Sequence, residues 1–124
     1  MATIGARLAR VAPGEVEIEL PFDEGLTQQT GFLHAGVLAM VLDSACGYAA
    51  LTMMDPGSEV LSIEFKVNLL APAVGEKLVA RAHVVRAGRT ITVCRADAFM
   101  LRGGGAEEAL VATMTGTMYQ VRER

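Results

Sequence analysis

Residues 35 to 54 constrain any fold of this chain more than the rest of the sequence does. The stretch has no proline, apolar side chains fill nearly every position, and Asp55-Pro56-Gly57 supplies a stop, so it reads as a helix apolar almost all round. It is about as long as a bilayer span, yet Asp43 sits near its middle. A central carboxylate costs about 2.5–3.5 kcal/mol on insertion scales, and neighbouring Ala and Gly return little. The expectation is a buried helix, with no membrane partner. Such a helix cannot lie on a flat sheet with its back in water, since each Å² of apolar surface left wet forfeits about 25 cal/mol. Either a sheet curls around it or a second subunit covers it.

The flanking patterns supply the sheet. Glu15, Glu17 and Glu19 alternate with Val16, Ile18 and Leu20 at the period of two that a half-buried strand requires, and a weaker strand, 6–11, precedes it across Pro13-Gly14. Residues 21–30 read as a polar connection. Beyond the stop, Leu61, Ile63, Phe65, Val67 and Leu69 alternate with Ser62, Glu64, Lys66 and Asn68, which places those four polar side chains on one face. Further strands are expected over 77–86, 90–101 and 110–120, separated by Ala87-Gly88-Arg89 and Gly103-Gly104-Gly105. Two strands, one long helix and four strands joined by short turns point to an antiparallel α+β sheet rather than a βαβ array.

With 124 residues, 52% of them hydrophobic, the chain suits one core, and a single domain over 1–124 is expected. A net charge of -3 has the wrong sign for a protein that neutralises phosphodiester backbones, which argues against nucleic acid. Cys46 and Cys94 belong to no metal-spaced cluster and read as reduced core thiols. Arg7 and Arg10 interrupt any secretory apolar run near the start, so a cytoplasmic location is expected.

The segment Gln28-Gln29-Thr30-Gly31-Phe32-Leu33-His34-Ala35-Gly36, followed by Asp43-Ser44-Ala45 and then by Asn68, Pro72, Gly75 and Gly88-Arg89-Thr90, resembles the hotdog-fold acyl-CoA thioesterases of the phenylacetate-pathway (PaaI) type. The resemblance covers almost the whole chain in order and spacing. It implies a curved antiparallel sheet wrapped around the helix, a dimer or tetramer, and an acyl thioester bound at the subunit interface. Many members carry His-Gly-Gly where this chain has His34-Ala35-Gly36; the feature implied is a backbone N–H, which Ala35 retains.

The residues reach a compatible place on their own terms. A helix start presents unpaired N–H groups and the positive end of the dipole, and here it lies beside small residues, Ala35 and Gly36, that let a ligand oxygen approach. Thioester hydrolysis needs such donors, worth about 2.7–4 kcal/mol each by precedent, plus a carboxylate to activate water or attack directly. Asp43 is the candidate, against a reading as a carboxylate buried for packing specificity. At about 1.5 Å per residue, Ala35 and Asp43 lie about 12 Å apart along one helix and cannot touch the same carbonyl. If both act in one site, Asp43 comes from a second chain related by a two-fold axis.

The resemblance also implies that Gln28 helps hold the thioester or the water and that Ser62 assists the water from the partner chain. His34 is given an orienting role, the plainer reading being a helix-entry His that satisfies loop carbonyls. Arg86, Gly88, Arg89 and Thr90 form a basic hairpin suited to coenzyme A phosphates, with Lys66 and Asn68 as additions to that surface; a solvated turn is the alternative. Phe32, Met40, Met53 and Met54 are candidates to line the acyl pocket. There is no GxSxG elbow, His83 has no identifiable partner, and the isolated His and Cys make no metal set, so neither a triad, a metal nor a cofactor is expected. A non-catalytic acyl-CoA-binding module and a hotdog enoyl-CoA hydratase or dehydratase using His34 remain the alternatives.

Overall fold

A computed structural model describes residues 5–27 and 31–122. Six strands form one antiparallel sheet: β1 (Arg7–Ala12), β2 (Glu15–Pro21), β3 (Glu59–Leu69), β4 (Lys77–Ala87), β5 (Ile91–Arg102) and β6 (Glu107–Val121), in spatial order β1-β2-β4-β5-β6-β3. The single α-helix, α1 (Ala35–Leu51), packs against β2, β3, β4, β5 and β6. This is the hotdog arrangement, and no helix among the described residues is long and apolar enough to cross a membrane.

The centre of the sheet is built small so that α1 can approach. Ala80, Ala98 and Ala112 stand side by side across β4, β5 and β6, with Ala82 and Ala96 on a parallel rung; all five are buried. Larger side chains, Ile18, Leu20, Leu78, Met100, Met114 and Met118, close the core around them. From the helix, Val41, Leu42, Ala45, Cys46 and Ala49 are fully enclosed. On the outer face, Glu19 meets Arg7 at 2.6 Å and Lys77 at 3.3 Å, while Arg81 reaches Glu17 at 3.4 Å and Glu108 at 2.5 Å. The same guanidinium lies 4.9 Å from the Phe99 ring centroid. These exposed pairs are worth little individually; they keep the outer face polar where β2 alternates Glu with apolar residues.

Two expectations need correction. The α-helix ends at Leu51, not Met54: beyond it the turns tighten, the Met53 N–H donating to Ala50 and the Met54 N–H to Leu51, while the Thr52 hydroxyl donates to the Ala49 carbonyl at 2.6 Å and accepts from the Gly14 N–H at 2.8 Å. Met53 and Met54 therefore lie beyond the helix, Met53 exposed and Met54 packed on the core. The four polar residues of β3 also do not share a face. A bulge between Ser62 and Glu64 puts an extra residue into the strand and reverses the alternation. Ser62 pairs with buried Met118 and faces the helix, as do Phe65, Val67 and Leu69 after the bulge, whereas Glu64, Lys66 and Asn68 point outward opposite Thr117, Thr115 and Thr113. The strand starting at Glu107 rather than at residue 110 is a minor extension; Gly103–Gly105 forms a short 3-10 turn, all three glycines having positive φ.

Both cysteines are buried and free. Burial pushes the Cys94 thiol up from its ordinary 9.0 to about 11, and raises Cys46 further, with Cys94 and Asp43 adding to the effect of burial. In the unfolded chain both thiols ionise near pH 9, so above that pH the unfolded state holds fewer protons than the native one and stability declines until the native thiol titrates. The urea midpoint is expected to fall as pH rises from about 9 towards 11, and the Cys94→Ala variant, though less stable overall, to show a shallower decline; an equal slope in the variant would show that other groups carry it.

Candidate active site

α1 begins at a prepared entry. The Leu33 N–H donates to Ala73 at 3.3 Å, Leu33 bridges Thr27, and the His34 N–H donates to the Leu26 carbonyl at 3.1 Å. His34 is the N-cap, with extended backbone (φ -60°, ψ 142°), and its carbonyl accepts from Val37 and Leu38. Its side chain makes no capping bond and is exposed. Among the described residues, no acceptor pairs with the N–H groups of Ala35 and Gly36; both residues are exposed, and a Cβ at Gly36 would meet nothing within 4 Å. A cavity of about 240 Å³ opens beside this helix start, lined by Phe32, Ala35, Leu38, Leu69 and Pro72.

Asp43 faces a different cavity. The Ser62 hydroxyl donates to Asp43 Oδ1 at 2.7 Å, and its oxygen lies 3.3 Å from Met118 Sδ. This contact exists because the β3 bulge turns Ser62 towards the helix. Around the pair lies a cavity of about 290 Å³, lined further by Gly47, Tyr48, Leu51 and Val60. A carboxylate held by one hydroxyl donor, with its other oxygen free to meet a water, suits proton abstraction or attack. Cys46, the thiol nearby, is fully buried and kept protonated by its surroundings, so it is a packing residue.

The two cavities lie towards opposite ends of the flank where α1 packs on the edge strand β3. Ala35, Leu38 and Leu69 mark one end; Asp43, Leu51, Val60 and Ser62 mark the other. Between them, apolar side chains are left in water: Met40 on the helix is 42% exposed and Phe65 on the strand 45%. Of the expected lining residues, Phe32 belongs to the first cavity, whereas Met53 and Met54 take no part. Gln28 lies outside the described residues. Gly47, Tyr48, Leu51 and Val60 went unnoticed in the sequence; the available signal was a glycine inside a helical run that it did not terminate.

The basic residues do not gather into one surface within the chain. Gly88 closes the β4–β5 hairpin, its N–H donating to Ile91 at 2.8 Å, and a Cβ there would sit 2.5 Å from the Ile91 carbonyl, so glycine is required. Arg89 offers its carbonyl to the Arg122 guanidinium, and the Thr90 carbonyl accepts from Gln120 at 2.8 Å, tying the hairpin to the end of β6. Arg86 follows a bulge at Val84 and pairs with Val93. Lys66 instead stands opposite Thr115, which in turn faces Arg95, and Asn68 stands opposite Thr113. Both are on the outer face of β3, several rungs from the hairpin, so their expected union with it is not found in a single chain.

A six-stranded antiparallel sheet around one helix, whose start carries N–H groups with no acceptor among the described residues and whose middle carries a hydroxyl-held carboxylate, defines a hotdog protein. The sequence matches the thioesterase superfamily over residues 30–106, and the chain belongs to that family of enzymes. It is similar to a solved thioesterase family protein from Silicibacter pomeroyi, with 53% identity, a TM-score of 0.95, and 99% of this chain and 89% of that one covered. Human acyl-coenzyme A thioesterase 13 is 32% identical over 91 residues, which span 73% of this chain and 64% of that protein. The PaaI protein of the Escherichia coli phenylacetic acid degradation operon shares the fold at a TM-score of 0.84 with 17% identity, over 98% of this chain and 83% of that one.

The Ser62→Ala substitution removes the donor that orients Asp43 while leaving an exposed edge-strand position otherwise intact. Thioesterase kcat is expected to fall by about 10–100-fold, as a misplaced catalytic group does, with little change in melting temperature. Parent-like kcat would remove Ser62 from the site.

Proposed function

We propose that the chain hydrolyses acyl-CoA thioesters at two equivalent sites of a two-fold dimer, each combining the helix start of one protomer with Asp43 of the partner subunit. The observation that carries this reading is the pair of unlike cavities at opposite ends of the α1–β3 flank, donors beside one and the carboxylate in the other. The elements of this flank run antiparallel, so an axis near Met40 and Phe65 exchanges the ends and sets the Ala35 cavity against the Asp43 cavity of the partner subunit. The same axis pairs β3 with its symmetry mate and covers Phe65 and Leu69 on the helix-facing side, both about half exposed in the isolated chain. A long apolar edge of this kind calls for such cover.

In the proposed reaction the thioester carbonyl oxygen accepts from the Ala35 N–H, assisted by Gly36, as charge develops on it. Asp43, oriented by Ser62, takes a proton from water as the water oxygen bonds to the carbonyl carbon. Collapse of the adduct breaks the carbon–sulfur bond, the thiolate leaves, and protonation yields CoA and the free acid. His34 orients the substrate, Gln28 holds the thioester or the water, and Arg86, Gly88, Arg89 and Thr90 meet the nucleotide phosphates. No bound cofactor takes part in this scheme.

Two variants test the shared site together. Ala35 is the first helical residue and follows an extended His34, a position where proline fits without strain while deleting the N–H. Ala35→Pro is expected to fold normally and to lose about 10²–10³ in kcat; Asp43→Asn is expected to lose about 10²–10⁴. Mixing the two under conditions that exchange subunits gives heterodimers with one intact site, so activity is expected to recover to about a quarter of the parent's under random pairing. Absence of recovery in verified heterodimers would place both groups in one chain and overturn the geometry. Saturable binding of acyl-CoA by the parent without thiol release would favour the binding module instead.

A further inference from the structure

Gly47 is a glycine for which the isolated fold has no use. It lies inside α1, where glycine costs helix stability relative to alanine, and its backbone is helical. Close packing does not demand it either: a Cβ built there meets only Val60 Cγ1, at 3.9 Å, an ordinary van der Waals contact. Gly116 is different, since a Cβ at that position would crowd Met118 at 3.0 Å and Cys46 at 3.5 Å. What Gly47 does line is the cavity of about 290 Å³ that Asp43 and Ser62 open onto.

On the reading above, the substrate carbonyl sits within reach of Asp43, and the acyl group must leave it in some direction. The cavity continues from Asp43 along the last turns of α1, walled by Gly47, Leu51 and Val60, with Tyr48 at its margin. Within one chain its volume of about 290 Å³ gives room for a compact apolar group. We infer that Gly47 is a specificity-determining residue: the missing side chain sets the depth of the acyl pocket and admits compact apolar acyl groups of benzoyl or hexanoyl size. A methyl group added there takes space from the acyl group rather than from the protein core. The inference rests on the proposed thioesterase reaction at this site.

The test compares kcat/KM of the parent, Gly47→Ala and Gly47→Val towards acetyl-CoA, hexanoyl-CoA and benzoyl-CoA, together with melting temperature and dimer mass. One methylene in an apolar pocket is worth roughly 10–200-fold in discrimination. The ratio of benzoyl-CoA to acetyl-CoA turnover is therefore expected to fall about 10-fold or more in Gly47→Ala and further in Gly47→Val. Gly47→Ala should melt at the same temperature as the parent or higher, which separates a lost pocket from a damaged fold. Unchanged ratios in folded variants would overturn the inference while leaving the thioesterase reading standing. Unchanged ratios with a weakened dimer would assign the space to the partner's surface instead. Failure of the parent to release thiol from any of the three esters would count against the underlying reading.

Discussion

An apolar helix that must be covered on every side governs this structure. The sheet encloses one flank of α1 by lining its centre with alanines, and the wrap stops at β3, where it leaves Met40, Tyr48 and Phe65 partly in water. Apolar surface left there has a steady cost, and a second copy related by a two-fold axis is the simplest cover. The same uncovered flank holds the N–H groups of the helix start, which have no acceptor among the described residues, and the carboxylate of its middle. Under the proposed pairing, the requirement to bury the helix and the assembly of the site are one event.

The local chemistry depends on a one-residue irregularity. Without the bulge after Ser62, β3 would keep strict alternation, and its inward side chains could not include both Ser62 and Phe65. The bulge turns a hydroxyl towards Asp43 and then restores an apolar inward face for Phe65, Val67 and Leu69. A polar contact on the apolar flank is tolerable because the hydroxyl and carboxylate satisfy each other and the carboxylate's remaining oxygen stays accessible.

Much of the architecture was legible in the chain because it rests on periodicity. The alternation of Glu15 to Leu20, the unbroken apolar run ending at a Pro-Gly stop, and the glycine hairpins place six strands and a helix in order. Asp43 and Ala35-Gly36 stood out in the sequence as candidates for an energetic reason: a lone carboxylate in an apolar helix is costly, and small residues at a helix start leave donors open. The misreadings came where a tertiary partner overruled a local pattern. The Thr52 hydroxyl bonds to Gly14 in the distant turn between β1 and β2, at the point where the helix ends before Asp55-Pro56-Gly57. Lys66 and Asn68 drift from the basic hairpin because register, invisible in a single strand, decides which rung each residue occupies.

The sequence by itself determined the elements, their order, the apolar helix and the two kinds of chemistry along it, since each follows from spacing within a segment. Only the tertiary structure decided that Ser62 meets Asp43, that Gly47 borders a cavity and not a packed neighbour, and that unlike cavities open at the two ends of the α1–β3 flank. Those facts depend on strand register and on the space left between elements, which are properties of pairs of segments and are encoded in neither one alone.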